Sequence, residues 1–239
     1  MLPLRDYLPT QKVPYVNYAL IGINLVVFVV ELLTATDGTD SSVLVAQGAL
    51  VPAHLFANPA AAAPTLLSHM FLHASFLHVG GNMLYLWIFG DNVEDALGHV
   101  RYLLFYLLCG LAAAFAQIAG NPHATVPMLG ASGAISGVLA AYGVLYPRAP
   151  IQIFNTIPLL WLFWGLFFWV PAWVVILGFF LLNLWSALQP SNAAGGVAFM
   201  AHVGGFIAGL VLLPLLRKHD PFDYQPWDRG QMVRSRRGN

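Results

Sequence analysis

Charge is what this chain has least of: Asp, Glu, Lys and Arg make up 8% of its 239 residues, whereas they account for about 25% of an average soluble domain. Hydrophobic residues reach 59%, against about 45–50% in that same average. So little charge excludes an ordinary soluble fold and points to a protein that lives in lipid. The apolar runs do not alternate with polar residues, which excludes a transmembrane β-barrel and leaves α-helices to satisfy the backbone. The lone Cys109 cannot form an internal disulfide, and its neighbours Leu107 and Leu108 make it a packed small residue rather than a nucleophile. Formal net charge is zero, and no basic cluster lies between aromatics in a soluble segment, so nucleic acid is not an expected partner.

The apolar residues fall into six runs, near 18–33, 78–90, 100–120, 130–146, 171–188 and 197–216, which predicts an all-α polytopic bundle of six transmembrane helices. All ten Lys and Arg residues fall on one side of such a bundle: Arg5 and Lys12 before the first run, Arg101 after the second, Arg148 after the fourth, the rest from Arg217 onward. The alternate connections, 34–77, 121–129 and 189–196, carry none, so the positive-inside rule puts both termini in the cytoplasm. The expected organisation is a cytoplasmic segment 1–17, a membrane domain 18–216 and a basic cytoplasmic tail 217–239. The first run follows Pro14 and lacks a small-residue cleavage site, so it reads as a retained span rather than a signal peptide. Without an evident transit peptide, the expected location is a bacterial cytoplasmic membrane.

Three segments need separate treatment. Residues 157–170 are apolar but number about fourteen where a span needs about twenty. Pro158 and Pro171 flank them, and counting them as a crossing would throw the basic tail to the wrong face. The aromatic-rich stretch 151–170 is therefore expected at a bilayer boundary. The long first loop 34–77 carries Leu50, Leu55, Phe56, Leu66, Leu67 and 70–72, so part of it is expected in the outer interface. Asp91, Asn92, Glu94 and Asp95 are expected at a solvated cytoplasmic helix end.

The same sidedness fixes the depth of the polar residues inside the runs. The fourth run starts at the outer side with Ser132 near its beginning, and the sixth carries His202 about one and a half turns in. The second begins with His78 and has Asn82 one turn later, so four polar side chains converge on one outer stratum. Small residues at four-residue spacing, Gly133, Gly137 and Ala141 against Ala201, Gly205 and Gly209, would let the fourth and sixth helices approach closely.

A serine hydroxyl beside an imidazole is a nucleophile and base, with the imidazole later returning its proton to the leaving amine. His78, Asn82 and the Ser132 backbone N–H could stabilise the oxyanion of a tetrahedral intermediate. No carboxylate lies at this depth to orient His202, so a Ser132–His202 dyad is expected rather than a triad.

Gly-x-Ser-Gly at 130–133, Ala-His-x-Gly-Gly at 201–205 and the spacing of His73, His78 and Asn82 resemble the rhomboid intramembrane serine proteases. The resemblance covers nearly the whole membrane core and implies a six-helix, cofactor-independent endopeptidase acting on transmembrane protein substrates. In that pattern Ser132 is nucleophile, His202 general base, and His78 and Asn82 oxyanion donors. His73 takes a structural position, and Gly130, Gly133, Ala201, Gly205 and Gly209 belong to the small-residue frame around the site. Three departures are visible: Ser136 stands where some members place an aromatic against the catalytic histidine, Val197 where some have a further glycine, and the first loop has no Trp-Arg pair. Span five, beginning at Pro171, and the connection 189–196 are the expected gates for substrate entry.

Other chemistries compete for the same residues. His69 and His73 share a helical face at metal-ligand spacing, yet residue 70 is Met where a His-Glu-x-x-His zinc protease needs Glu. A transporter would string its polar groups across the membrane, whereas these cluster at one side. A noncatalytic client-binding protein of the same fold is the remaining alternative, and members of that kind typically lack the Ser or the His.

Overall fold

The structure, a computed structural model, describes residues 1–35, 43–189 and 198–217. Each expected apolar run contains a helix: α1 is Tyr15–Thr34, α3 His99–Gly120, α4 Ser132–Leu145, α5 Ala172–Ala187 and α6 Phe199–Leu216. Helix α2 is longer than its run, with Phe76–Tyr85 passing through a π-helical turn, Leu86–Gly90, into Asp91–Leu97. Of these, α1, α3 and α6 are long and apolar enough to cross a membrane, while α4 and α5 are apolar but shorter. The connection 189–196 lies largely outside the described residues, as do Val197 and the tail beyond Arg217.

Helix α4 is the centre of the molecule, buried at every residue from Gly133 to Tyr142. A largely apolar helix with six glycines and alanines can sit there because other helices close on it from every side. In lipid the hydrophobic effect does not drive that closure, so backbone proximity has to. The expected small-residue stripes provide it: a methyl group at Gly209 would collide with the Gly137 carbonyl, and one at Gly137 would lie 3.0 Å from the Gly205 carbonyl oxygen. Cys109 of α3 is fully buried against Gly137, in the packing role its sequence context predicts.

Helix α1 carries a polar stripe facing inward. Asn17 donates from Nδ2 to the Leu86 carbonyl at 2.9 Å, a group the π turn releases from its regular partner, and accepts from the Tyr102 hydroxyl at 2.8 Å. The expectation for the acidic cluster is corrected at its centre: Asn92 and Glu94 are both buried, Glu94 fully. The reason is the N-terminus of α1, which has no side-chain cap of its own; the Val16 and Asn17 N–H groups donate to Glu94 at 3.0 and 2.7 Å. A carboxylate at a helix N-terminus meets both free donors and the positive end of the dipole. His99 closes the third side at 2.5 Å.

The aromatic segment 151–170, expected at a bilayer boundary, folds as a hairpin. Strand β2, Pro150–Phe154, pairs antiparallel with β3, Phe167–Pro171, and with the N-terminal strand β1, Leu2–Asp6. Buried Asn155 closes the hairpin neck, donating to the Gly165 carbonyl and accepting from the Ile157 N–H, and the Trp161 indole donates to its carbonyl. The tip keeps its aromatics exposed, Phe163 and Trp164 among them.

In the first loop some apolar residues pack into the bundle while others, Phe56 and Leu67 among them, stay exposed. Leu50, Met70 and Leu72 are buried, and Leu50 exchanges two backbone hydrogen bonds with Met128 just ahead of α4. The described part folds into short helical turns from Val43–Gly48 to His69–Phe71.

Candidate active site

Ser132 is the first residue of α4, and what precedes it is a turn only glycine adopts easily. Gly130 has φ +122, and a side chain there would collide with the His78 ring. Its N–H donates to the His69 carbonyl at 2.8 Å, which ties the turn to the first loop. The first N–H groups of a helix have no intrahelical acceptor, so the Ser132 amide is free to serve a ligand at the positive end of the α4 dipole.

Across from it, His202 lies in the first turn of α6. The small-residue contact between the helices brings Ser132 Oγ to 2.7 Å from His202 Nε2. The other ring nitrogen, Nδ1, lies 2.5 Å from Asn183 Oδ1 on α5. The ring is flanked by Phe179 and Phe199, with centroid separations of 6.0 and 6.4 Å.

His78 and Asn82 sit on the first two turns of α2. Ser75 caps that helix by accepting from the His78 N–H at 3.2 Å. The Ala74 N–H makes a long contact to His78 Nδ1 at 3.5 Å, and Nε2 faces Gly130. Asn82 donates from Nδ2 to His73 Nε2 at 2.9 Å. His73 also packs edge-on against the His78 ring and donates its backbone N–H to buried Glu31 of α1. His69 is buried, its Nδ1 bonded to the Thr65 carbonyl at 2.8 Å.

These groups surround one cavity of about 540 Å³, lined by His78, Asn82, Gly130, Ser132, Phe179 and His202 among others. It opens at the end of the bundle where α2, α4 and α6 begin. The opposite end carries Arg5, bonded to Gln152 of β2, and Arg101, which donates to the Leu216 carbonyl at the end of α6.

Of the site residues expected from the sequence, Ser132, His202, His78, Asn82, Gly130, Gly133 and Ala201 line this cavity, with Ser132 and His202 in direct contact and His73 bonded to Asn82 behind it. Gly133, Ala201, Gly205 and Gly209 form the α4–α6 contact beneath. Ser136 turns back on its own helix, donating to the Ser132 carbonyl at 2.8 Å, and leaves the His202 ring to α5. Asn183 and Glu31 were missed. Both had a signal, a single amide in the apolar run 171–188 and a single carboxylate in the run 18–33.

Residues 61–219 match the model of the Rhomboid domain family. Among curated proteins, the chain is 29% identical over 200 residues to the mitochondrial Rhomboid protein 1 of Saccharomyces cerevisiae, covering 81% of this chain and 51% of that one. It is 37% identical over 101 residues to the human mitochondrial presenilin-associated rhomboid-like protein, covering 40% of this chain and 26% of the relative. It is 41% identical over 76 residues to the rhomboid protease GluP of Bacillus subtilis, covering 32% and 14%. The chain thus spans about half the length of the yeast relative and less of the other two.

Proposed function

The chain belongs to the rhomboid family, and from that premise we propose that it is an intramembrane serine endopeptidase that cuts transmembrane proteins in or near their membrane helix. The observation that carries the proposal is the 2.7 Å hydrogen bond between Ser132 and His202 on the wall of a cavity edged by His78 and Asn82. Ser132 Oγ attacks the scissile carbonyl as its proton passes to His202 Nε2, and the imidazolium then protonates the leaving amine. The oxyanion is met by His78 Nε2–H, the second Asn82 Nδ2 hydrogen and the Ser132 N–H. Together such donors are worth several kcal/mol, about 2.7–4 for one well-placed donor.

Six spans, both termini in the cytoplasm and a site near the outer face complete the proposal, supported by the segregation of the basic residues from the cavity end. The bacterial cytoplasmic membrane expected from the sequence draws no support from the comparisons, whose relatives divide between mitochondria and a bacterium. Substrate enters between α2 and α5, where Tyr85 faces Phe179 at a centroid separation of 6.3 Å. A helix hides its carbonyls in hydrogen bonds, so substrates with Gly or Pro near the cut are preferred. The test is cleavage of a membrane-reconstituted substrate series in which that Gly-Pro content is varied. Cleavage that falls as the helix is stabilised supports the proposal; cleavage indifferent to helix stability, or none of any member, contradicts it.

A further inference from the structure

From the hydrogen-bond chain behind His202, we infer that Asn183 is a positioning residue that fixes the tautomer of the general base and makes activation of Ser132 depend on the seating of α5. This deepens the endopeptidase proposal and rests on it for the role of His202.

The direction of every proton in the chain is determined. Asn183 Nδ2 lies 2.8 Å from the Phe179 carbonyl, one turn back on α5. A carbonyl only accepts, so the amide nitrogen faces Phe179 and Oδ1 faces His202. Oδ1 in turn only accepts, so the hydrogen in the 2.5 Å contact belongs to His202 Nδ1. Nε2 is left with its lone pair, 2.7 Å from the Ser132 hydroxyl, which must donate. The tautomer so fixed is the one a general base requires, and the opposite tautomer would present an N–H to the serine and leave its proton in place.

Asn183 is itself buried, which shields the contact from competing water. As a neutral amide it orients the ring and stabilises the imidazolium less than a carboxylate would, a division of labour matching the Cys-His-Asn arrangement of other proteases. Because Asn183 comes from α5 while Ser132 and His202 come from α4 and α6, a displacement of α5 that breaks the contact leaves the base without its orienter. Phe180 of α5 packs against Phe206 of α6 with ring centroids 4.6 Å apart, one turn from this contact.

The experiment reads the tautomer and the kinetics separately. In Ser132→Ala protein with 15N-labelled histidine, the nitrogen spectrum of His202 is expected to show Nδ1–H, and Asn183→Leu in that background is expected to shift it toward Nε2–H. In the Ser132 protein, Asn183→Leu is expected to lower kcat about tenfold to a hundredfold with KM unchanged. Asn183→Asp, which keeps the acceptor and covers the case of a Leu variant that does not fold, is expected to retain the Nδ1–H signal. An Nε2–H signal in the Asn183 protein, or a kcat unaffected by Asn183→Leu, overturns the inference. Absence of proteolysis in the Ser132 protein contradicts the endopeptidase proposal instead and leaves the tautomer result standing by itself.

Discussion

Gly205 of α6 lies directly against the carbonyl of Gly133 in α4, so close that a single methyl group on Gly205 would occupy the space of that oxygen. Gly133 follows Ser132 in sequence and Gly205 comes three residues after His202, so this backbone contact sets the separation of the two side chains above it. Gly205→Ala is expected to lower stability by about 1–3 kcal/mol, since a main-chain carbonyl cannot move aside as a flexible side chain can. Activity should fall further than stability, because pushing α4 and α6 apart stretches the 2.7 Å contact. Unfolding in detergent and cleavage rate, measured on one preparation, check both.

Asp6 predicts a pH dependence at the other end of the molecule. Burial pushes its carboxyl up from the usual 3.8 to about 7, against the hydrogen bond it accepts from Tyr142, and nearby Asp91 adds to the rise. The folded chain therefore holds this proton more tightly than the unfolded one, so the contribution is complete below about 3.8 and lost as pH rises through about 7. Melting temperature should fall as pH rises from about 4 to about 7, with a smaller slope in Asp6→Asn. An unchanged slope in that variant would show that the folded chain does not hold the Asp6 proton more tightly than the unfolded one.

Glu94 stands between α2 and α1. Replacing it with Ala strands the Val16 and Asn17 N–H groups and His99, and is expected to cost about 3 kcal/mol. Glu94→Gln should cost less, since one oxygen still accepts. Equal stability of all three proteins by thermal unfolding would contradict the capping role.

Helix α5 has to separate from α2 for substrate entry while staying seated on α6. Cysteines at Tyr85 and Phe179, joined by a short thiol cross-linker, should block cleavage of a transmembrane substrate. Cysteines at Phe180 and Phe206, whose rings lie 4.6 Å apart, should leave it nearly unchanged when joined. The reverse pattern, read on the same substrate, would place the moving contact at α6.

How much of this was legible in the sequence follows from the range of each interaction. The helices were legible because lipid demands long apolar runs. Ser132, His202, His78 and Asn82 converged because the distribution of Lys and Arg assigns each run a direction and each residue a depth. Strands β1, β2 and β3 were not legible, since each has only five residues and β1 finds its partner far along the chain. Glu94 looked solvent-facing because the donors that bury it belong to α1. Asn183 escaped for the same reason: its meaning lies in the Nδ1 of a residue on another helix.

The most direct test compares the native chain with Ser132→Ala and His202→Ala, each first shown folded by thermal unfolding, on a helix-weakened transmembrane substrate in liposomes with a metal chelator present. The account predicts chelator-resistant cleavage in the native chain and loss of at least a thousandfold in both variants. Cleavage that survives Ser132→Ala would contradict it, and native protein that binds such substrates without cutting any would make this rhomboid a client-binding protein instead.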